Sequence, residues 1–472
     1  MWRALCFLAL FKATAGLIYP RVVSNGIDGP DYGFPLFLTP LIEKGMVDDA
    51  RKMAKVPPLK GTIESYSGFF TVNKQFNSNM FFWYFPAEKS PETAPVVLWL
   101  QGGPGASSLY GLFEEHGPFY VKPQRGLKLR DYYWSQVVNI IYVDNPVGTG
   151  FSFTGDPKGY SRDETDVGNN LYELLKQFFT LFPTLQKNDF FVTGESYAGK
   201  YVPAAAYTIH TKNPTAPVKI NLKGIAIGNG LCDPPNMLVY SDYLYQLGLV
   251  DSNGRALIKV EEDKIRDLAA QRKYLEAFKV FDQLLNGDMT IYKTLFYNLT
   301  GFEFYFNYLH SKPQSLYGDF GEYLQKDLVR RSIHVGNLTF NDGKAVELNL
   351  VTDVMQSVSQ WLEILLEKYR VLIYNGQLDI IVAYPLTLSF LQRLKWSGAD
   401  EYKIAPRKPW MVGQDLAGYS KTVKGFTELL VRNAGHMVPG DQPLWGLDLI
   451  SRFVSNKPFS GTQKEYHADK LK

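Results

Sequence analysis

The sequence predicts an α/β fold, in which a mostly parallel central sheet carries helices on both of its faces. Short apolar runs that end in glycine, acidic or turn residues recur along the chain, as is typical of buried parallel strands. Helical patterns lie between these runs, and one of them, residues 164–182, is stopped by Pro183. Strands that alternate with helices form parallel sheets, because each helix carries the chain back across one face of the sheet. The predicted parallel strands are residues 96–100, 137–143, 190–193, 224–227, 371–374 and 426–431.

An antiparallel hairpin is predicted before the first of these strands. Residues 66–72 and 80–85 are rich in aromatic residues and flank a polar connection that contains several asparagines. Two apolar runs that flank a short polar segment indicate a β-hairpin.

The alternation of strands and helices breaks between residues 234 and 331, and we interpret this segment as a mainly helical cap over the site. Residues 260–285 are rich in helix formers and charge. Large apolar residues recur near helical spacing at Leu275, Phe278, Phe281 and Leu285. The resulting division is 17–233 and 332–460 for the two parts of the core, 234–331 for the cap insertion and 461–472 for a polar tail.

Residues 1–16 are predicted to be a signal peptide. Arg3 supplies a positive end, residues 4–11 an apolar stretch, and Ala13 and Ala15 frame a small-residue cleavage pattern. No later stretch approaches the apolar length of a membrane span. We therefore expect a protein without a membrane span that enters the secretory pathway and is secreted or lysosomal; the sequence leaves its oligomeric state open.

Charge and cysteine content narrow the function classes. The formal net charge is +3, and no dense cluster of Lys and Arg with interleaved aromatic residues is present, so a nucleic-acid partner has no support. Cys6 leaves with the signal peptide, so the mature chain keeps only Cys232 and forms no internal disulfide. We expect Cys232 to be a buried small apolar residue. Glycosylation sequons at Asn298 and Asn337 agree with a secretory route.

Ser196 is predicted to be a nucleophile. It lies between Gly194 and Gly199, directly after the apolar run 190–193. A serine on a cramped strand-to-helix turn needs small neighbours, because larger side chains would collide there. This nucleophile elbow is typical of the α/β-hydrolase fold.

A serine nucleophile needs a base and an orienting acid, which follow it in the order Asp, His in the α/β-hydrolase topology. His436 lies in a Gly/Pro-rich loop after the last predicted strand, whereas the other histidines after Ser196 lie on the elbow's own helix, in the insertion or in the tail. Asp379 lies one strand earlier, just beyond residues 371–374. The alternatives are a loop histidine with only a local hydrogen bond and an aspartate that caps a turn.

A glycine-rich segment is the candidate oxyanion hole. Three glycines lie within residues 102–105, after the strand 96–100, and leave backbone N–H groups unobstructed. We expect the N–H groups of Gly103 and Tyr197 to be the donors. A plain Gly/Pro turn is the alternative; a phosphate-binding loop is disfavoured because no Gly-Lys-Ser/Thr follows.

These motifs resemble those of the serine carboxypeptidase family, peptidase family S10, over nearly the whole mature length. The motifs around Gln101, around Glu115 and across residues 374–383 are most similar to those of the vitellogenic-like carboxypeptidase branch. The resemblance implies release of the C-terminal residue from peptides or proteins, with no cofactor and no metal. The motifs that carry the resemblance are residues 99–105, 115–118, 144–152, 194–199 and 433–440.

The resemblance also implies a site for the substrate's terminal carboxylate. By similarity, its hydrogen-bond network comprises Trp99, Gln101, Glu115 and Glu195, with the N–H of Gly102 nearby. Like-charge repulsion and burial would keep a proton on one or both glutamates, which could then donate to the carboxylate. Affinity for peptides should therefore weaken as pH rises.

Two positions depart from the family's usual pattern. Most members carry Asn where this chain has Gln101, which puts the reach of that hydrogen bond in doubt. They also often carry a disulfide cysteine where this chain has Ala106, so their disulfide scaffold is not expected here.

The sequence thus predicts a serine-type carboxypeptidase that works through an acyl-enzyme. Met437 either lines the pocket for the C-terminal residue or is a packing residue beside it. Three alternatives remain open. One is an acyltransferase of the same family, in which an alcohol replaces water in the second step. The others are a simple esterase, against which Glu115 and Glu195 argue, and a catalytically silent binding glycoprotein.

Overall fold

The computed structural model describes residues 32–123, 126–313 and 319–460. The predicted signal peptide, residues 1–16, and the polar tail, residues 461–472, lie outside the described residues. The strands are β1 Lys55–Val56, β2 Ser65–Asn73, β3 Ser78–Phe85, β4 Val96–Leu100, β5 Phe119–Lys122, β6 Gly126–Leu129, β7 Asn139–Val143, β8 Thr149–Gly150, β9 Phe190–Glu195, β10 Leu222–Gly228, β11 Asn341–Asp342, β12 Arg370–Gly376, β13 Lys408–Val412, β14 Asp415–Val423 and β15 Phe426–Val431.

Helices precede, follow and connect these strands. They are α1 Thr39–Glu43, α2 Val47–Ala54, α3 Glu164–Leu181, α4 Ala198–Lys212, α5 Tyr240–Gln246, α6 Ser252–Ala270, α7 Tyr274–Phe281, α8 Leu295–Thr300, α9 Phe320–Leu324, α10 Asp327–Ser332, α11 Lys344–Leu350, α12 Ser359–Leu366, α13 Tyr384–Leu391, α14 Ala399–Ile404, α15 Val438–Asp441 and α16 Pro443–Val454. Asp163 caps α3 through its side chain, which accepts from two backbone N–H groups of the first turn. The helix ends at Leu181, just before the predicted stop at Pro183.

Eleven strands form one central sheet in the order β1-β2-β3-β7-β4-β9-β10-β12-β15-β14-β13. The run from β7 to β15 is parallel, and its six strands are the six that the sequence predicted. The predicted hairpin is β2 and β3, which pair antiparallel. This is the predicted α/β-hydrolase fold with a largely parallel sheet.

The sheet separates two apolar cores. Side chains alternate along β4, so that Val96, Leu98 and Leu100 pack in one core and Val97 and Trp99 in the other. Helices α3 and α4 contribute to the first core and α16 to the second. Burial on both faces explains why this strand is a continuous apolar run in the sequence.

Residues 240–332 form helices α5 to α10 and contribute no strand to the central sheet among the described residues. The helical pattern predicted over residues 260–285 belongs to two helices, α6 and α7, which part near Arg272, where φ is 59°. Apolar residues of both, including Ile265 and Phe278, join the first core. The division into core and cap stays a proposal.

Parallel strands place their carboxyl ends on one edge of a sheet, and loops at that edge hold the functional groups of such folds. The segments that follow β4, β9, β10, β12 and β15 contain Gly102, Ser196, Asn229, Asp379 and His436. In the part of the chain that the structure describes, no helix has the length and apolar character required to cross a membrane.

Candidate active site

Ser196 lies at the turn between β9 and α4. Its φ of 65° is in the left-handed region, where a residue with a side chain is strained. A Cβ added at Gly194 would lie 2.6 Å from the carbonyl oxygen of Leu100, and one at Gly199 would lie 2.5 Å from the amide nitrogen of Leu231. Glycine is therefore required at both positions, and the turn that it allows leaves Ser196 partly exposed.

Asp379 and His436 meet at the carboxyl edge of the sheet, because β12 and β15 are parallel neighbours. Oδ2 of Asp379 lies 2.8 Å from Nδ1 of His436, and neither side chain is exposed. This contact favours the tautomer with the proton on Nδ1. Nε2 of His436 makes no hydrogen bond within the described residues, including none to Ser196, so it is available as a base.

Two residues that the sequence did not point to hold this pair. Nδ2 of Asn229 donates to Oδ2 of Asp379 over 2.7 Å, while Oδ1 of Asn229 accepts from the amide of Gly376 at 3.0 Å. The ring of Phe306 stacks on His436 with a centroid distance of 4.4 Å, and its carbonyl accepts from the backbone N–H of His436 at 2.7 Å. The position of Asn229 between two glycines at the end of β10 was a usable signal; Phe306 had none.

The candidate oxyanion loop packs directly on the elbow. A Cβ added at Gly102 would lie 2.5 Å from the amide nitrogen of Tyr197 and 2.7 Å from Cβ of Ser196. Gly103 has a φ of 110° and is followed by a cis bond to Pro104. The amides of Gly103 and Tyr197 donate to no backbone carbonyl in the described part of the chain, which leaves both N–H groups for a ligand.

A cleft of about 1170 Å³, counting the part open to solvent, gives access to Ser196. Gly103, Ser196 and Tyr197 line it together. Aromatic side chains form much of its wall, namely Tyr110, Phe278, Phe281, Tyr305, Phe306, Phe320 and Phe340, and polar side chains, among them Asn286, Asp288, Asn341, Asp342 and Glu347, line it as well. A concave cleft that combines apolar and polar side chains is the usual form of a site for an organic substrate.

A buried polar network links Trp99, Gln101, Glu115 and Glu195, none of which is exposed. Nε1 of Trp99 donates to Oε1 of Gln101 at 3.0 Å, and Nε2 of Gln101 donates to Oε1 of Glu195 at 2.9 Å. Gln101 therefore bridges its neighbours despite its extra methylene. The carboxyl of Glu115 faces Glu195 and Gln101, but its oxygens accept no well-formed hydrogen bond within the described residues.

Burial and mutual repulsion favour the protonated form of the two glutamates. Burial raises the pKa of Glu115, and burial followed by the charge of Glu115 raises the pKa of Glu195 well above the ordinary 4.5. Two carboxyl groups that share a dry site cannot both ionise at neutral pH. The pair therefore keeps at least one O–H group, which can donate a hydrogen bond to an acceptor.

His116, the next residue in the chain after Glu115, is buried among aromatic side chains. Its ring stacks on Trp134 with a centroid distance of 4.0 Å, and Nδ1 lies 3.0 Å from the hydroxyl of Tyr142. Burial lowers the pKa of His116 well below 6.5, so the ring is neutral. It adds no positive charge that would help Glu115 to ionise.

The remaining predicted positions lie as follows. Met437 is partly buried and packs against the first core, outside the lining of the cleft. Asn298 and Asn337 are exposed. Cys232 is a fully buried free thiol whose pKa is raised by burial. Among the described residues, no group of three or more His, Cys, Asp and Glu side chains could hold a metal ion.

Comparison with known proteins identifies a protein family whose model matches most of this chain. A family model described as serine carboxypeptidase matches residues 57–456. The venom serine carboxypeptidase of Apis mellifera is 60% identical over 432 residues, which cover 91% of this chain and 92% of the relative. The probable serine carboxypeptidase CPVL of Homo sapiens is 48% identical over 469 residues, covering 97% and 98% of the two chains.

A third relative and a solved structure are also similar to this chain. The vitellogenic carboxypeptidase of Aedes aegypti is 48% identical over 429 residues, which cover 89% of this chain and 90% of the relative. The crystal structure of Kex1(delta)p, a prohormone-processing carboxypeptidase from Saccharomyces cerevisiae, superimposes with a TM-score of 0.70 at 23% identity, covering 86% of this chain and 96% of the other. That likeness supports the fold.

Proposed function

We propose that this chain, which belongs to the serine carboxypeptidase family and is a serine-type carboxypeptidase, releases C-terminal amino acids from peptides through an acyl-enzyme at acidic pH. The observation that carries the proposal is the buried pair of Glu115 and Glu195. Glu195 directly precedes the proposed nucleophile, Ser196, in the chain. An esterase has no use for two carboxylic acids at this point.

Catalysis follows from the arrangement around Ser196. The hydroxyl of Ser196 loses its proton to Nε2 of His436 as its oxygen attacks the last peptide carbonyl. Asp379 holds the imidazole tautomer and stabilises the imidazolium that forms. His436 then returns the proton to the leaving amine, and the peptide bond breaks to leave an ester on Ser196. Water, deprotonated by the same histidine, hydrolyses that ester and restores the enzyme.

The developing oxyanion lies where the amides of Gly103 and Tyr197 converge. Gly103 and Tyr197 both line the cleft beside Ser196, and the close approach of Gly102 to the amide nitrogen of Tyr197 supports a fixed arrangement of the loop and the elbow. Preorganised donors stabilise a charge that appears only in the transition state, and one such donor contributes roughly 100- to 1000-fold in kcat.

Recognition of the substrate's terminus belongs to the buried network. A protonated glutamate of the pair donates to the terminal carboxylate, together with Trp99, Gln101 and the N–H of Gly102. The loop after His436 approaches this network, because a Cβ added at Gly440 would lie 3.7 Å from Cγ of Glu115. We assign Met437, in the same loop, to the side of the leaving residue, although it packs against the first core outside the cleft lining. Since the pair must hold a proton, activity is highest at acidic pH.

The route through the cell is part of the same proposal. The names of two relatives refer to venom and to vitellogenesis. Both names agree with a protein of the secretory pathway. The sequons at Asn298 and Asn337 are exposed and accessible to glycosylation. An acidic optimum suits either a lysosomal or a secreted enzyme.

Release of the C-terminal amino acid from a blocked dipeptide tests the proposal. Purified wild type is expected to release it at about pH 5, and Ser196→Ala to lose the activity, whereas Ser455→Ala, at an exposed helix end, keeps it. An added alcohol acceptor identifies an acyltransferase by its ester product. No release by wild type, or full release by Ser196→Ala, would contradict the proposal.

A further inference from the structure

A buried ion pair lies behind the elbow. Lys200 is on the first turn of α4, and its Nζ lies 2.5 Å from Oδ2 of Asp353, with side-chain exposures of 0% and 5%. Nζ also donates to the backbone carbonyl of Asp353. The hydroxyl of Tyr197 donates to the same Oδ2 at 2.8 Å. Asp353 therefore ties the residue that follows the nucleophile to the helix that starts there.

Such a pair is weak evidence of stabilisation, because removing two charges from water costs much of what their attraction returns. Fixed position is the better-supported use of buried ionic groups. Glu164, at the start of α3, lies close to this pair, and burial followed by the charge of Asp353 raises its pKa well above 4.5. Burial also raises the pKa of the Tyr197 hydroxyl, which keeps its proton and remains the donor.

The same chain segment also holds the other half of the oxyanion hole. Gly343, just before α11, packs against Gly105 in the glycine-rich loop. A Cβ added at Gly105 would lie 2.7 Å from the carbonyl oxygen of Gly343, and one at Gly343 would lie 2.2 Å from that of Gly105. Both have positive φ, 88° and 81°. Residues 343–353 thus contact the oxyanion loop at one end and Tyr197 at the other.

We propose that residues 343–353 are a brace that sets the relative position of the two oxyanion donors, with Asp353 as its positioning residue. Gly103 lies two residues before the contact at Gly105, and the N–H of Tyr197 belongs to the residue that Asp353 holds. The inference rests on the proposed function, because it assigns those two amides to the oxyanion.

Two substitutions weaken the brace at a single atom or charge. Tyr197→Phe removes only the hydroxyl that reaches Asp353, and Asp353→Asn removes the charge. A misplaced donor slows the step in which the oxyanion forms and leaves ground-state binding intact. For hydrolysis of a blocked dipeptide we expect kcat to fall roughly 10- to 100-fold in each variant, with KM within about twofold of wild type. The double variant should lose no more than Asp353→Asn alone.

Asp448→Asn is the matched control. Asp448 pairs with Arg452 at 2.6 Å with similar burial, on α16 and away from the cleft. It is expected to lower Tm and to leave kcat per folded molecule unchanged. Unchanged kcat in Tyr197→Phe, which keeps the ring and therefore folds, overturns the brace, and so does an equal loss in the control. An inactive wild type, or an active Ser196→Ala, overturns the proposed function and the brace with it.

Discussion

The proposed catalytic residues are held by neighbours to which we assign no step of the reaction. Asp379 accepts hydrogen bonds at Oδ2 from Asn229, at 2.7 Å, and from the amide of Val382, at 3.3 Å, in addition to its contact with His436. A fully buried carboxylate keeps its charge and direction only when such donors surround it. The position of His436 therefore depends on the end of β10 as well as on its own loop.

Asn229→Gly tests this dependence. Glycine tolerates the φ of 42° at this position, so the substitution removes the side chain without backbone strain. We expect kcat/KM for a blocked dipeptide to fall roughly 10- to 100-fold, because Asp379 loses its shortest donor and Gly376 its acceptor. Asn221→Gly, just before the other end of the same strand, is the control. Wild-type kcat/KM in Asn229→Gly would show that Asp379 is held without it.

At this scale the sequence indicates the proposed catalytic residues but not the residues that hold them. Ser196, Asp379 and His436 follow strands in a fixed order and lie in loops with distinctive glycines, so pattern and position suffice to name them. The partners Asn229 and Asp379 are 150 residues apart, and Lys200 and Asp353 are 153 apart. No local periodicity encodes contacts of that kind, because they depend on which elements the fold brings together.

At the scale of elements, close backbone approaches align the strands with the catalytic loops. Gly376, the last residue of β12, packs against the loop that carries His436, and a Cβ there would lie 1.8 Å from the carbonyl oxygen of Gly435. The amide of Leu378 also donates to the carbonyl of Ala434 at 2.8 Å. This contact keeps Asp379 and His436 in register.

Gly376→Ala is expected to separate the two loops. We expect Tm to fall, with a loss of roughly 1–3 kcal/mol in the free energy of unfolding, and kcat/KM to fall further than the lost folded fraction explains. Gly425→Ala is the control, since a Cβ there would meet nothing closer than 3.4 Å. Thermal unfolding and dipeptide hydrolysis check both variants; equal behaviour of the two would contradict the importance of this contact.

The parallel strands were predicted because their sequences are apolar throughout. A hairpin that mixes polar and apolar residues was missed. The hairpin of β13 and β14 extends the sheet beyond β15, but burial alternates along much of β14, so its polar residues conceal the strand. The loop Gly413-Gln414, with a positive φ at Gly413, is a turn signal that could have indicated it.

At the scale of the whole molecule, several buried carboxyl groups keep protons that the unfolded chain would release. Burial raises the pKa of Asp144 to about 7 and that of Glu164 well above 4.5, as it does for Glu115 and Glu195. The folded state thus binds more protons above about pH 4.5, so its stability falls as pH rises through the raised pKa values. The buried His116 acts in the opposite sense below about pH 6.5, where the unfolded chain gains a proton.

We therefore expect Tm to be roughly 2–5 °C lower at about pH 8 than at about pH 6. Glu164→Gln should reduce this difference, because it removes one buried group that must ionise. Glu173→Gln, on the more exposed part of the same helix, is the control and should leave the difference unchanged. Differential scanning calorimetry measures it, and a Tm that rises from pH 6 to pH 8 would contradict the protonated state of these groups.

We expect the buried pair of glutamates, in its protonated form, to bind the terminal carboxylate of the substrate. The most direct measurement is kcat/KM for a blocked dipeptide and for its C-terminal amide, between about pH 5 and pH 8. It compares wild type, Glu115→Gln and the control Glu173→Gln, which lies away from the cleft. In wild type we expect a preference for the free acid that is largest at about pH 5 and declines as pH rises. Glu115→Gln should give a flatter profile, and the control should give the wild-type profile. A preference that grows toward pH 8, or no preference for the free acid, would contradict it.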